Sequence, residues 1–175
     1  VESGAIFSVN LSGQSLGDDE IFGFIEEELR HGDLPPSALC FEITESAAVS
    51  NLRKAQSVID SLKKHGCTIA LDDFGAGLSS FAYLKNFNVD TLKIDGSFIR
   101  DISENRISES MVAAITQVAS VMGLKTVAEY VESDLTRQLI TKLGVDFAQG
   151  HLVGKPVPLA EVLAGFTDAL RSSVV

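Results

Sequence analysis

Short apolar runs alternate with stretches of helical periodicity along most of the chain. The runs span Ala5–Asn10, Ala38–Thr44, Cys67–Leu71, Thr91–Asp95, Lys125–Ala128 and Val145–Ala148. Between and after them, helical patterns cover Asp18–Arg30, Asn51–His65, Ser79–Asn86, Arg106–Met122, Ser133–Leu143 and Leu159–Leu170. Leu52, Ala55, Ile59 and Leu62 recur at spacings of three and four, which predicts one apolar helix face. Asp18 suits an N-cap with Asp19 and Glu20 in the first turn, and Ser133-Asp134 suits another. Gly66, Gly123 and Gly144 each close a helical pattern just before a strand, the place of a C′ glycine.

Strands that alternate with helices pair in parallel through right-handed crossovers, with helices outside the sheet. The runs are apolar throughout rather than alternating, as expected for strands covered on both faces. A (β/α) barrel and a doubly wound sheet both satisfy this pattern. The strand ends discriminate further. Asn10, Glu42 with Glu45, Asp72 with Asp73, Lys93 with Asp95, Glu129, and Gln149 stand at or just past the C-terminal ends of the six runs. In a β/α barrel those ends converge on one face, where active sites are built. One acid after a strand is an ordinary cap or loop residue; six coincident placements predict a shared polar site.

The densest signal is Ile69-Ala70-Leu71-Asp72-Asp73-Phe74-Gly75-Ala76-Gly77. Two adjacent carboxylates at a strand end repel one another and are stable when a cation lies between or above them. Hard divalent cations take oxygen ligands, and a pair of them clamps the oxygens of a phosphoryl displacement. A solvated turn would also use Asp and Gly. Gly75 and Gly77 give the loop backbone freedom, with Phe74 and Phe81 as packing anchors.

Composition adds bounds. The chain has 175 residues, 45% hydrophobic and 22% charged, which suits one soluble domain. No apolar run approaches the roughly 20 residues that span a bilayer, and Val1–Gly13 does not read as a signal peptide. A net charge of −10 argues against a duplex nucleic-acid surface, which is normally basic. An acidic site can still take a phosphate-bearing ligand once cations mask it. Cys40 and Cys67 fall in apolar runs and read as buried thiols, which fits a reducing cytoplasm. His31 and His65 lie at predicted helix ends, where a solvated imidazole complements the dipole. His151 falls near Gln149 and reads as a rim residue.

Taken in order, Val9-Asn10-Leu11-Ser12, Phe41-Glu42-Ile43-Thr44-Glu45, Asp72-Asp73-Phe74-Gly75-Ala76-Gly77, Leu92-Lys93-Ile94-Asp95, Val127-Ala128-Glu129-Tyr130-Val131-Glu132 and Ala148-Gln149-Gly150 resemble the successive signatures of EAL domains. These are bacterial cyclic di-GMP phosphodiesterases built on a modified β/α barrel. The resemblance runs from about Ser8 to Pro158. It implies that Asn10, Glu42, Asp72 and Asp73 hold two Mg²⁺ or Mn²⁺ ions. Lys93 then matches a catalytic lysine, Glu129 an acid/base and second-metal position, and Asp95 a further active-site acid. Gln149 and Glu132 match substrate-side positions, and Glu45 the residue that holds the loop after Asp73.

The Glu-Ala-Leu motif that names the family is absent, and a β/α barrel needs about 200 residues or more. The resemblance therefore implies that residues 1–175 form the C-terminal portion of one EAL domain. The expected fold is α/β, an incomplete TIM-like barrel of six parallel strands with outer helices. Open sheet edges predict self-association. Tyr130 stands where the family commonly has glycine. The implied function is metal-dependent hydrolysis of cyclic di-GMP to linear pGpG in a cytoplasmic parent protein with regulatory domains, with weak activity or none in this segment alone. A non-catalytic cyclic di-GMP receptor is the main alternative, and another metal-assisted barrel enzyme a third.

Overall fold

Six strands, all parallel and hydrogen-bonded in the order of the chain, form the framework of the computed structural model, which describes residues 5–76 and 81–164. They are β1 (Phe7–Leu11), β2 (Leu39–Thr44), β3 (Thr68–Phe74), β4 (Thr91–Ile94), β5 (Lys125–Ala128) and β6 (Phe147–Ala148). Sequential parallel order requires every connection to cross over on the same side, as in a barrel wall, and excludes the doubly wound alternative. Among the described residues β1 and β6 do not pair with each other, so the wall stays open.

The crossovers carry α1 (Gly13–Gly17), α2 (Asp19–His31), α3 (Glu45–Ser50), α4 (Leu52–His65), α5 (Phe81–Leu84), α6 (Gly96–Arg100), α7 (Arg106–Met122) and α8 (Asp134–Lys142). Their ends follow the local chemistry. The Asp18 carboxylate accepts the Glu20 and Ile21 amides, and the Ser133 hydroxyl accepts the Thr136 amide. Gly66 and Gly123 close α4 and α7 in the left-handed region at φ 95° and 74°, which costs glycine little. His31 and His65 occupy the last turns of α2 and α4.

Ile43, Ile69, Leu71, Leu92, Ile94 and Ala128 share one face of the sheet and are fully buried there, while Ala70 and Lys93 are buried on the opposite face, so the central strands are covered on both. Each such aliphatic side chain of Leu or Ile size contributes roughly 1.5–3 kcal/mol by leaving water. The α4 face departs from expectation at one end. Ala55, Ile59 and Leu62 are buried and Val58 joins them, but Leu52 is 40% exposed. Leu52 opens the helix, where the chain has not yet turned onto the sheet.

Strand bounds also shift from expectation: β1 begins at Phe7 and ends at Leu11, β2 begins at Leu39 and β4 ends at Ile94, and β6 and β3 shift for identifiable reasons. β6 begins at Phe147 rather than Val145, because Asp146 turns back to accept the Thr126 amide and pair with Lys125. β3 runs three residues beyond Leu71, through both aspartates to Phe74. The helix expected over Ser79–Asn86 is observed as α5, its first residues lying outside those described. Gly77, the Phe81 side chain and the end of the Leu159–Leu170 helix also lie outside them. No described helix is long and apolar enough to cross a membrane. Cys67 is buried, Cys40 partly so, and neither forms a disulfide. Burial pushes both thiols above their usual pKa.

Candidate active site

Residues of a regular strand point alternately to opposite faces, so Asp72 and Asp73 should diverge. Here they do not. Leu71 pairs with Leu92 and Phe74 with Ile94, so β3 carries one residue more than β4 over this stretch. Asp73 absorbs the bulge at φ 52°, in the left-handed region that Asp tolerates better than most residues. Its amide donates to Asp72 Oδ1 at 3.0 Å. Carboxylate oxygens of Asp72, Asp73 and Glu129 consequently lie within 4.8 Å of one another.

Lys93 organises the acids from below. Its Nζ lies 2.8 Å from Glu42 Oε2, 2.9 Å from Asp72 Oδ1 and 2.9 Å from Glu129 Oε1. The lysine side chain is only 6% exposed and the three carboxylates 12–13%. Burial alone would favour the neutral amine, but hydrogen bonds to three carboxylates outweigh it, so the Lys93 pKa is raised. Glu129 is raised as well, first by desolvation and then by the charges of Asp72 and Asp73, against the pull of Lys93. Burial also lifts Asp73, with Asp72 and Asp95 adding to it. An excess of negative charge therefore persists around one lysine.

Asn10 pairs in register with Glu42 on the neighbouring strand and stands exposed beside it. Asp95 caps α6 by accepting the Ser97 amide at 2.8 Å, so one of its oxygens is already engaged. Glu45 accepts the Gly75 amide at 2.9 Å and the Tyr83 hydroxyl, tying the start of the loop after β3 to α3 and α5. Tyr83 is the partner that sequence reasoning missed, and no local spacing connects it to Glu45. Gln149 donates its amide to the Ala128 carbonyl and accepts the Val131 amide, locking the end of β6 to the turn after β5. A Cβ at Gly150 would fall 2.4 Å from the Val131 backbone, so this close approach needs glycine.

Two clefts meet at Asp73. One of about 390 Å³ is lined by Asp72, Asp73, Glu129, Tyr130, Glu132 and Gln149, with His151 at its edge. Glu132 and His151 face each other at 3.9 Å, both well exposed. The other, of about 600 Å³, holds Asp73, Asp95, Glu45 and Tyr83. Ten anticipated residues thus gather along one rim, with Lys93, Glu42, Asp72 and Glu129 in direct contact and Asp95, Glu45 and Glu132 toward the margins. The clustered oxygens form a hard, anionic donor set that suits a divalent cation.

A family model described as the EAL domain matches residues 2–156. The chain belongs to the EAL domain family. Cyclic di-GMP phosphodiesterase PdeB of Shewanella oneidensis is 39% identical over 163 residues, which are 93% of this chain and 19% of that protein. Cyclic di-GMP phosphodiesterase PdeF of Escherichia coli is 43% identical over 157 residues, 90% of this chain and 21% of that protein. The chain thus spans about a fifth of the length of these curated relatives. Among solved structures, the PaMucR phosphodiesterase in complex with c-di-GMP superposes with a TM-score of 0.85 at 33% identity, covering 90% of this chain and 64% of that one. The EAL domain of Mycobacterium smegmatis DcpA gives 0.84 at 32% identity, covering 93% and 73%. The six-stranded parallel α/β fold seen here thus has TIM-barrel-like EAL domains as its structural neighbours.

Proposed function

We propose that this chain is the acidic catalytic portion of a cyclic di-GMP phosphodiesterase, which hydrolyses one phosphodiester bond to give linear pGpG. The observation that carries the reading is the buried Lys93 held by Glu42, Asp72 and Glu129 beside Asp73 at the rim of a parallel sheet. Asn10, Glu42, Asp72 and Asp73 would hold two divalent ions, Mg²⁺ or Mn²⁺. Bound there, the ions would mask phosphodiester charge and lower the pKa of a coordinated water.

The chain's own groups account for the rest. Lys93 directs positive charge toward the phosphoryl group and stabilises the negative charge that builds there during attack. Glu129, with its pKa raised, is suited to accept the proton of the attacking water. As the water oxygen bonds to phosphorus, the bond to the departing 3′ oxygen breaks, and that oxygen takes a proton. Glu45 holds the loop start through Gly75, while Gln149 and Glu132 line the substrate side. Asp95 caps α6 across Asp73 and tunes the local charge.

Retention of every acid expected in this stretch favours an enzyme over a non-catalytic receptor. Assay of pGpG release by the protein carrying this domain, with Mg²⁺ or Mn²⁺, tests the reading. Asp72→Asn should abolish turnover; undiminished turnover would sink it, and tight cyclic di-GMP binding without any turnover in the wild type would favour a receptor. Among the described residues β1 pairs only with β2 and Val9 is 40% exposed, and that strand edge supports self-association.

A further inference from the structure

Tyr130 is one of two non-glycine residues in the left-handed backbone region, at φ 54°, among the described residues. For an aromatic residue this conformation is unfavourable and persists only where the surroundings enforce it. They do so on both flanks: the Glu129 amide donates to the Ile94 carbonyl, and Val131 exchanges bonds with Gln149 and Leu152. The ring is fixed as well. It lies so close over Gly96 that a Cβ there would sit 2.1 Å from the ring, and the Arg100 guanidinium lies 3.9 Å from its centroid. Arg100 forms no ion pair among the described residues, so its charge is not spent elsewhere.

This clamped ring is not part of the hydrophobic core. Tyr130 is 48% exposed, and its hydroxyl has no hydrogen-bond partner among the described residues. It lines the 390 Å³ cleft with Asp72, Asp73 and Glu129, and it supplies the only phenyl ring there. Besides Tyr130 the lining comprises four acids, Gln149, two glycines, Pro156 and the exposed His151, whose imidazole faces Glu132, so Tyr130 offers the largest flat apolar surface. A cyclic dinucleotide presents two chemistries, an anionic phosphodiester and a flat purine. The acidic group, once masked by cations, suits the first, and a rigid aromatic surface flanked by an arginine suits the second.

We propose that Tyr130 is a binding and specificity residue of this site, its ring taking a purine base while the neighbouring acids serve the phosphodiester. This rests on the phosphodiesterase reading above. The strain at φ 54° is the cost of aiming the ring into the cleft directly beside Glu129, and Gly96 and Arg100 keep it there. A pyrimidine offers less surface to the ring, so the residue should distinguish cyclic di-GMP from cyclic di-UMP.

Calorimetric titration of both dinucleotides into the protein carrying this domain, with Mn²⁺, tests this, using wild type, Tyr130→Gly and Tyr130→Phe. Glycine accepts the positive φ, so Tyr130→Gly should fold with an unchanged or higher Tm and unchanged Mn²⁺ affinity. Its affinity for cyclic di-GMP should fall about tenfold or more, and for cyclic di-UMP about threefold or less, on the scale of one lost base stack. Tyr130→Phe should stay within about threefold of wild type. If Tyr130→Gly binds cyclic di-GMP within twofold of wild type, the role of Tyr130 is overturned while the phosphodiesterase reading stands. If its Mn²⁺ affinity falls in parallel, the ring is structural and the proposal fails. If the wild type binds no cyclic di-GMP in Mn²⁺, both readings fall.

Discussion

Lys93→Met removes one positive charge from a point 2.8–2.9 Å from three carboxylates and keeps an unbranched side chain of similar length. At an effective dielectric constant of 20, each contact carries a gross attraction of about 6 kcal/mol. Desolvation of the ions and repulsion among the acids offset most of that, and breaking such a buried pair costs about 3–5 kcal/mol net. Water reaches the carboxylates from the cleft side, so the lower end, about 3 kcal/mol, is expected. For a chain of this size that lowers Tm by roughly 6–12 °C. The pH dependence carries a definite sign. Without the lysine the opposing pull on Glu129 is gone, and burial with the charges of Asp72 and Asp73 lifts its folded-state pKa further above the unfolded value. At Glu129 the folded variant then binds more protons than the unfolded chain, and its stability rises as pH falls toward the unfolded value of that group. Wild-type Lys93 has a raised folded pKa, so its contribution is fully present below the unfolded lysine value of about 10.4 and is lost only as pH climbs through the folded one. Urea unfolding followed by circular dichroism, in chelator at pH 7.5 and pH 5.0, measures both effects. A loss below about 1 kcal/mol at pH 7.5, or an equal loss at both pH values, would refute the lysine cage as an electrostatic keystone.

Glu45→Ala leaves the Gly75 amide and the Tyr83 hydroxyl without their acceptor, which should cost about 1–3 kcal/mol and speed hydrogen exchange at Gly75. An unchanged exchange rate at Gly75 would show that Glu45 does not hold the loop. Asp72→Asn should weaken Mn²⁺ binding at least about tenfold by calorimetry, since a charged oxygen ligand becomes a neutral one; equal affinity would remove Asp72 from the ligand set. Cys67, 1% exposed and with its thiol pKa raised by burial, should react with a thiol reagent at pH 8 far more slowly in the folded chain than in urea. Equal rates would contradict its place under the sheet.

Most of the framework was legible from local chemistry. Asp18 and Ser133 cap the helices they precede, Gly66 and Gly123 close theirs at positive φ, and β5 spans the anticipated Lys125–Ala128. These features depend on a few adjacent residues: a side-chain oxygen that reaches a free amide, or a glycine that turns left-handed without a Cβ penalty. The coincidence of polar residues at strand ends was visible too, because parallel order places those ends on one rim. Where the apolar face of α4 began was misjudged at Leu52, since periodicity records a face but not how soon the helix meets the sheet.

The chemistry within the rim depended on three-dimensional register. Asp72 and Asp73 share one face only because β3 has one more residue than β4 between two pairings, and that mismatch cannot be read from either strand alone. Glu42 on β2, Asp72 on β3 and Glu129 just after β5 meet at Lys93 on β4, so their shared cation is a property of strand stagger. Tyr83 reaches Glu45 across the loop it helps to hold, and Tyr130 is turned into the cleft by bonds from Ile94, Gln149 and Leu152. Adjacent residues determined where the chain turns, caps and pairs. Contacts between distant segments decided which charges face one another, because electrostatic energy depends on separations of a few ångströms that only the packed strands set.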